Sequence, residues 1–210
     1  MSRKKHQNKE NFWISPNFRA EDWWRLTLDD KDGSSWYRAV DIFLDRIRGR
    51  FLIPVEVIEN HPDDNVSWFS GFAILALDCL IIETLHQFYN GLNETTGEHK
   101  QAFWNFFHAS VHFNEFTEDT AHIFYSHFRC GILHQAQTKK QSKVRFAEDR
   151  MVQLVNQNNL QAGLIIDRKM FHKALCKEIE DYATRLRNPS SPHDYELRVK
   201  FKDKMRFIAG

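Results

Sequence analysis

"WFSGFAILALDCLIIETL", from Trp68 to Leu85, is the stretch that decides the fold. It is apolar over nearly the length that crosses a bilayer, which needs about 20 residues. Asp78 and Glu83 interrupt it, and a carboxylate in lipid is expensive. The chain around it is hydrophilic, with a mean hydropathy of −0.57. The reading is therefore a buried central helix of a bundle, with no membrane span. It continues to Tyr89 and stops at Asn90-Gly91, a helix C-terminal signal. Two carboxylates on so apolar a helix need partners, so each is expected in a salt bridge or capping hydrogen bond inside the bundle.

The rest of the chain can supply that bundle. Of 210 residues, 42% are hydrophobic, including 18 Phe and 6 Trp, which excludes a disordered chain and provides an aromatic core. Lys and Arg number 29 against 28 acidic residues, so global charge does not mark a nucleic-acid binder and any such role must come from a local patch. Cys79, Cys130 and Cys176 are odd in number and widely spaced. That argues against a disulfide framework or a cysteine zinc site and for a reducing, cytoplasmic setting.

Outward from the central helix, residues 1–11 read as a flexible basic tail and 12–210 as one mainly α domain. "SSWYRAVDIFLDRIRGRFL" predicts a helix stopping near Gly49, with Pro54 and "NHPDDN" (60–65) as the connection. "KQAFWNFFHASVHF" and "TEDTAHIFYSHFRCGILHQAQ" predict two more helices, the second capped by Thr117 with Glu118 and Asp119 in its first turn. "MVQLV" and "GLIID" predict a small β-hairpin insertion within 144–167. "KMFHKALCKEIEDYATRLR" returns to helix, with Phe171, Leu175, Ile179, Tyr182 and Leu186 at core spacing, and a basic last helix closes the chain.

The stretch with chemistry is "HFRCGILHQAQ", 127–137. With Phe124, Phe128 and Ile132 as the core stripe, Arg129 points roughly 140° from Phe124 and His134 roughly another 140° round. On one straight helix the two do not share a face. A bend at Gly131, or a second copy of the helix in a dimer, could bring them together. The residue types suit RNA cleavage by its own 2′-hydroxyl: histidine titrates near neutrality, and arginine offers a fixed fork for phosphate charge. Lys139, Lys140, Lys143 and Arg145 follow within seven residues and could track a phosphate backbone, or form a solvated loop.

"ALDCLIIETLHQFYNG" followed by "FYSHFRCGILHQAQ" resembles the HEPN superfamily, helical domains that include many prokaryotic ribonucleases. The resemblance extends from about Trp24 onward and is nearest to a branch carried by bacterial plasmids and other mobile elements. It implies a HEPN-like bundle, a symmetric homodimer, and a metal-independent endoribonuclease with Arg129 and His134 as the motif pair. It further implies RNA as substrate, no cofactor, and a toxin–antitoxin or anti-phage setting with a cognate antitoxin or defence partner protein. Many catalytic members carry Asn, Asp or His after the arginine, where this chain has Cys130. That departure favours the alternative, a non-catalytic module binding a nucleotide or a protein.

Glu83, His127 and Cys130 are candidate supporting residues, Glu83 as a carboxylate orienting Arg129. His122 and His127 both flank the motif and could line the same cleft, but read better as surface or half-buried polar positions. His108 and His112 in "HASVH" stand one helical turn apart, half a metal site at most, so no metal is expected. The tryptophans at 13, 23, 24 and 36 read as packing over the bundle.

Overall fold

The computed structural model describes residues 11–29 and 33–210, so the tail assigned to 1–11 lies almost wholly outside the described residues. The fold is mainly helical with one small sheet. Its helices are α1 (Ala20–Trp24), α2 (Gly33–Ile47), α3 (Ile53–Glu59), α4 (Asp64–Ser67), α5 (Gly71–Asn90), α6 (His99–Ala109), α7 (Glu118–Phe124), α8 (Cys130–Gln135), α9 (Arg168–Arg187) and α10 (Pro192–Ala209). Strands β1 (Lys143–Arg145), β2 (Val152–Leu154) and β3 (Leu164–Asp167) lie between α8 and α9.

Helix α5 is the axis, packing against α6, α9 and α10. Ile74, Leu75, Cys79, Ile81, Ile82, Leu85 and Phe88 are buried, and Gly91 ends the helix in the left-handed region at φ 67°. Among the described residues α5 is the one helix long and apolar enough to cross a membrane, and half of its most apolar window is buried inside the fold. Both of its carboxylates are paired, Asp78 with His172 and Glu83 with Arg129, each at 2.7 Å.

Two aromatic clusters fill the core. Trp36, Phe43, Phe88, Tyr182 and Phe201 meet between α2, α5, α9 and α10. Phe107, Phe113, Phe116, Phe124 and Phe171 meet at the other end, with Phe124 stacked on both Phe128 and Phe171. Such pairs add about 0.5–1.5 kcal/mol each beyond the area they bury.

Three expectations change. The helix beginning at Gly33 does not stop at Gly49 but runs through a π turn, Arg48–Leu52, into α3, with Pro54 in α3's first turn. With no N–H to donate, Pro54 follows the wide π turn directly, where the regular i→i−4 pattern is already broken. Gly49 is needed for contact instead, because a Cβ would stand 2.3 Å from Pro16. Helix α6 ends at Ala109, since the Ser110 hydroxyl donates to the buried Glu178 and also accepts the His112 amide. The insertion holds three strands in the order β1-β3-β2, not a bare hairpin. β2 and β3 are the expected antiparallel pair, with Val152 opposite Ile166, and β1 adds a parallel edge with Val144 opposite Ile166.

Candidate functional site

Helix α7, a π turn at Tyr125–Arg129 and α8 form one unbroken helix from Glu118 to Gln135. Thr117 caps it, accepting the Thr120 amide. The Phe124–Phe128–Ile132 stripe faces the core as its spacing predicts. The π turn lies directly on the arginine of interest, and single π turns inside helices occur frequently at functional sites.

Arg129 ends that turn and reaches α5, where its Nε donates to Glu83 Oε1 at 2.7 Å. Both side chains are largely covered, at 18% and 15% exposure, so the pair is screened less than a surface bridge. Burial opposes the charge on Arg129, but Glu83 outweighs it and raises the guanidinium's pKa further. The guanidinium stays charged and in place. Tyr125 and Cys130 flank it; burial pushes the Tyr125 hydroxyl up, and the Cys130 thiol beside it adds to the shift.

His134 sits in the last turn of α8 with its side chain exposed. Gly131 is not a bend: the helix runs through it, and a Cβ there would stand 2.5 Å from the Gln137 carbonyl as the chain folds back. The helix ends at Ala136, which takes the left-handed conformation at φ 54°. Within one chain, then, Arg129 turns inward to α5 and His134 outward to solvent.

His127 is buried and acts as an anchor. Its carbonyl accepts the Lys139 amide at 3.0 Å, and its Nδ1 lies 2.9 Å from Ser142 Oγ, which also accepts the Leu164 amide. Burial, with Lys140 and Lys139 nearby, lowers its pKa below the ordinary histidine value. The loop is thereby tied to both the helix and the sheet.

The basic run divides. Lys139 and Lys140 stay beside the π turn, while Lys143 and Arg145 are exposed on the edge strand β1. That strand lies over the start of α5, where a Cβ on Gly71 would meet Val144 at 2.9 Å. Here the structure adds aromatic residues that the sequence reading passed over. Trp68, Phe69, Phe72 and Phe146 are exposed around Arg145, Trp68 at 62% and Phe69 at 79%. Buried Arg168 fixes this surface by donating to the Ser67 and Trp68 carbonyls and to Ser70 Oγ. Trp68 and Phe69 belonged to the apolar run and so read as core, although they precede α5. Of the tryptophans read as packing, Trp23 and Trp36 are buried, whereas Trp13 is 53% exposed beneath the Arg19 guanidinium.

His108 and His112 do not share a face. His108 packs at a tilt against Trp104, and His112 Nε2 lies 2.7 Å from Asp181. His122 is half-buried near the loop. Among the described residues no group of three His, Cys, Asp or Glu side chains is disposed to hold a metal ion. No family model, no curated protein and no solved structure matches this chain.

Proposed function

We propose that the chain is a metal-independent endoribonuclease acting through Arg129 and His134, with the site completed by a second copy of the chain. The observation that carries this is the Glu83–Arg129 pair: a fixed, permanently charged guanidinium on a π turn of the same helix that exposes His134 one turn on. A guanidinium held in this way stabilises charge building on a phosphate without reorganising. His134 would take the 2′-hydroxyl proton as that oxygen attacks the adjacent phosphorus. The 5′-oxygen then leaves, giving a 2′,3′-cyclic phosphate and a 5′-hydroxyl. Because the two side chains diverge within one chain, the reading requires two α8 helices related by a two-fold axis. A cognate antitoxin or defence partner belongs to the same proposal.

Labelled RNA digested in excess EDTA, beside its 2′-deoxy counterpart, tests the chemistry. Expected are RNA cleavage with cyclic-phosphate ends, intact DNA, and loss of about 10²–10⁴ in rate for His134→Ala or Arg129→Ala. Cleavage that stops in EDTA, or 5′-phosphate ends, would overturn it. Light scattering tests the dimer, and a monomer at micromolar concentration counts against the shared site.

A second reading has its own observation. Exposed Trp68, Phe69 and Phe146 beside Arg145 and Lys143 suit base stacking next to phosphate contacts, which binds single-stranded RNA without cutting it. Salt-sensitive RNA binding with no cleavage by the wild-type chain would favour this non-catalytic module.

A further inference from the structure

A second constellation lies on the side of α5 that faces α9, away from Arg129. Asp78 is fully buried, and its Oδ1 is 2.7 Å from His172 Nδ1. The other ring nitrogen of His172, Nε2, is 3.5 Å from the sulfur of Cys176. His172 and Cys176 are four residues apart on α9 and so share a face. A carboxylate on one ring nitrogen and a thiol on the other is the arrangement by which a base activates a nucleophile. Structural ion pairs also place histidine on aspartate, so the pair alone would mean little. The surroundings add what a structural pair lacks.

Cys176 and His172 open onto a groove of about 480 Å³ between α3 and α9. Its wall is apolar, formed by Leu44, Leu52, Ile53, Val55 and Ile179. Charges of both signs stand around it: Arg48, Glu56 and Glu59 on one side, Lys169, Lys173 and Glu180 on the other. A balanced rim gives no preference for an ionic ligand, so the interior selects for an apolar chain. Cys79 is sealed in the core, whereas Cys176 is partly accessible.

We propose that Cys176 is a nucleophilic thiol, activated by His172 and oriented through Asp78, that accepts a long-chain acyl group from a thioester and seats the chain in the α3–α9 groove. Burial opposes charge on His172, but Asp78 and the Cys176 sulfur outweigh it and hold the imidazole at about 10, so the ring stays protonated, the thiol gives its proton to solvent, and the imidazolium pairs with the Cys176 thiolate. The thiolate sulfur attacks the acyl carbonyl carbon and a new C–S bond forms. The tetrahedral adduct collapses by breaking the bond to the donor's sulfur, and that leaving thiolate takes the proton from His172 Nε2, which solvent restores. The donor leaves as a free thiol, Cys176 carries the acyl group, and nothing is oxidised or reduced. Asp78 positions the ring through Oδ1 and touches no reacting atom; its second oxygen is buried without a hydrogen-bond partner.

The full chain incubated with palmitoyl-coenzyme A, followed by peptide mass mapping, reads the outcome. Cys130 is also partly accessible and serves as the internal reference. Expected is one hydroxylamine-labile palmitoyl group on Cys176, forming at least about tenfold faster than on Cys130. Acetyl-coenzyme A should label it more slowly, since a short chain leaves the groove empty. His172→Gln should remove the rate advantage, and iodoacetamide on the same variant should show the loss is of thiol reactivity and not of groove binding. Equal rates at Cys176 and Cys130 would overturn the proposal, as would equal labelling by the two donors or an undiminished rate in His172→Gln. If Asp78→Asn fails to fold, the His172 variant still decides. Cys176→Ala should cleave RNA as wild type does, which keeps this test separate from the reading of Arg129.

Discussion

Asp78 and Glu83 stand on the same helix, five residues apart, and face opposite partners in opposite environments. Asp78 is wholly buried and holds a histidine, a group that titrates. Glu83 is largely covered and holds an arginine, a group that does not. One apolar helix thus positions two kinds of cation. The guanidinium is a fixed charge, suited to stabilising charge on a substrate; the imidazole is a proton carrier, suited to activating a neighbour. Depth also bears on what each pair contributes to folding, since Asp78 has no solvent access whereas Glu83 keeps 15% of its side chain exposed, and a charge left alone costs more the deeper it lies.

The largest effect on stability is therefore expected at Asp78. Asp78→Ala leaves the His172 ring without its partner and should cost about 3–5 kcal/mol in urea unfolding. A loss below about 1 kcal/mol, the range of an exposed pair, would erase the contrast with Glu83.

Next in size is a pH dependence belonging to Asp78–His172 alone. His172 rises from 6.5 in the unfolded chain to about 10 in the fold. A raised histidine contributes stability that is complete below pH 6.5 and is lost as pH climbs through about 10. Burial also pushes the Asp78 carboxyl up, opposed by the bonded imidazole, which acts in the same direction at lower pH. Wild type should thus lose up to about 3.5 kcal/mol between about pH 6.5 and 9.5, and His172→Gln should flatten that slope. A wild-type profile without slope in this window would mean that the pair holds no extra proton.

A smaller effect is expected at Glu83. Glu83→Gln keeps the shape and an acceptor but removes the charge, and should cost about 1 kcal/mol, equally at both ends of that pH window. Arg129 stays charged throughout, so no slope should appear or vanish. RNA cleavage is the sharper readout, because a guanidinium released from Glu83 is no longer held in position. A rate that falls at least about tenfold with little loss of stability supports a positioning role, and an unchanged rate argues against one.

How far these pairs were legible in the sequence differs between them. Asp78 and Glu83 were visible as anomalies because charge on an apolar helix demands a partner, and Arg129 was visible as Glu83's through the motif. His172 was not visible for Asp78. The two are 94 residues apart, and the histidine sits on a helix whose periodicity speaks only for Phe171, Leu175 and Ile179. The four-residue step from His172 to Cys176 was open to reading, but acquires meaning only with α5 beside it. Local signals carried well where the chemistry is local, as at the Thr117 cap and the Asn90-Gly91 stop. They failed where a distant group decides. Pro16 sets Gly49, Glu178 breaks the helix at Ser110, and Arg168 turns Trp68 and Phe69 out of the core run.

His134→Ala should have the smallest effect on stability, and for that reason it separates chemistry from folding most cleanly. His134 lies off the Phe124–Phe128–Ile132 stripe, exposed in the last turn of α8. Removing it leaves no cavity and no buried partner. An exposed histidine near the helix C-terminus contributes no more than about 1 kcal/mol, and alanine returns up to about 0.7 kcal/mol in helix propensity. The two nearly cancel, so thermal or urea unfolding should shift by no more than about 0.5 kcal/mol. If the same protein has lost RNA cleavage, the loss is of a reacting group, because neither the Glu83–Arg129 pair nor the core has been touched. If it is destabilised by several kcal/mol, His134 is a structural contact, and neither a two-fold cleft nor a proton transfer can be argued from it.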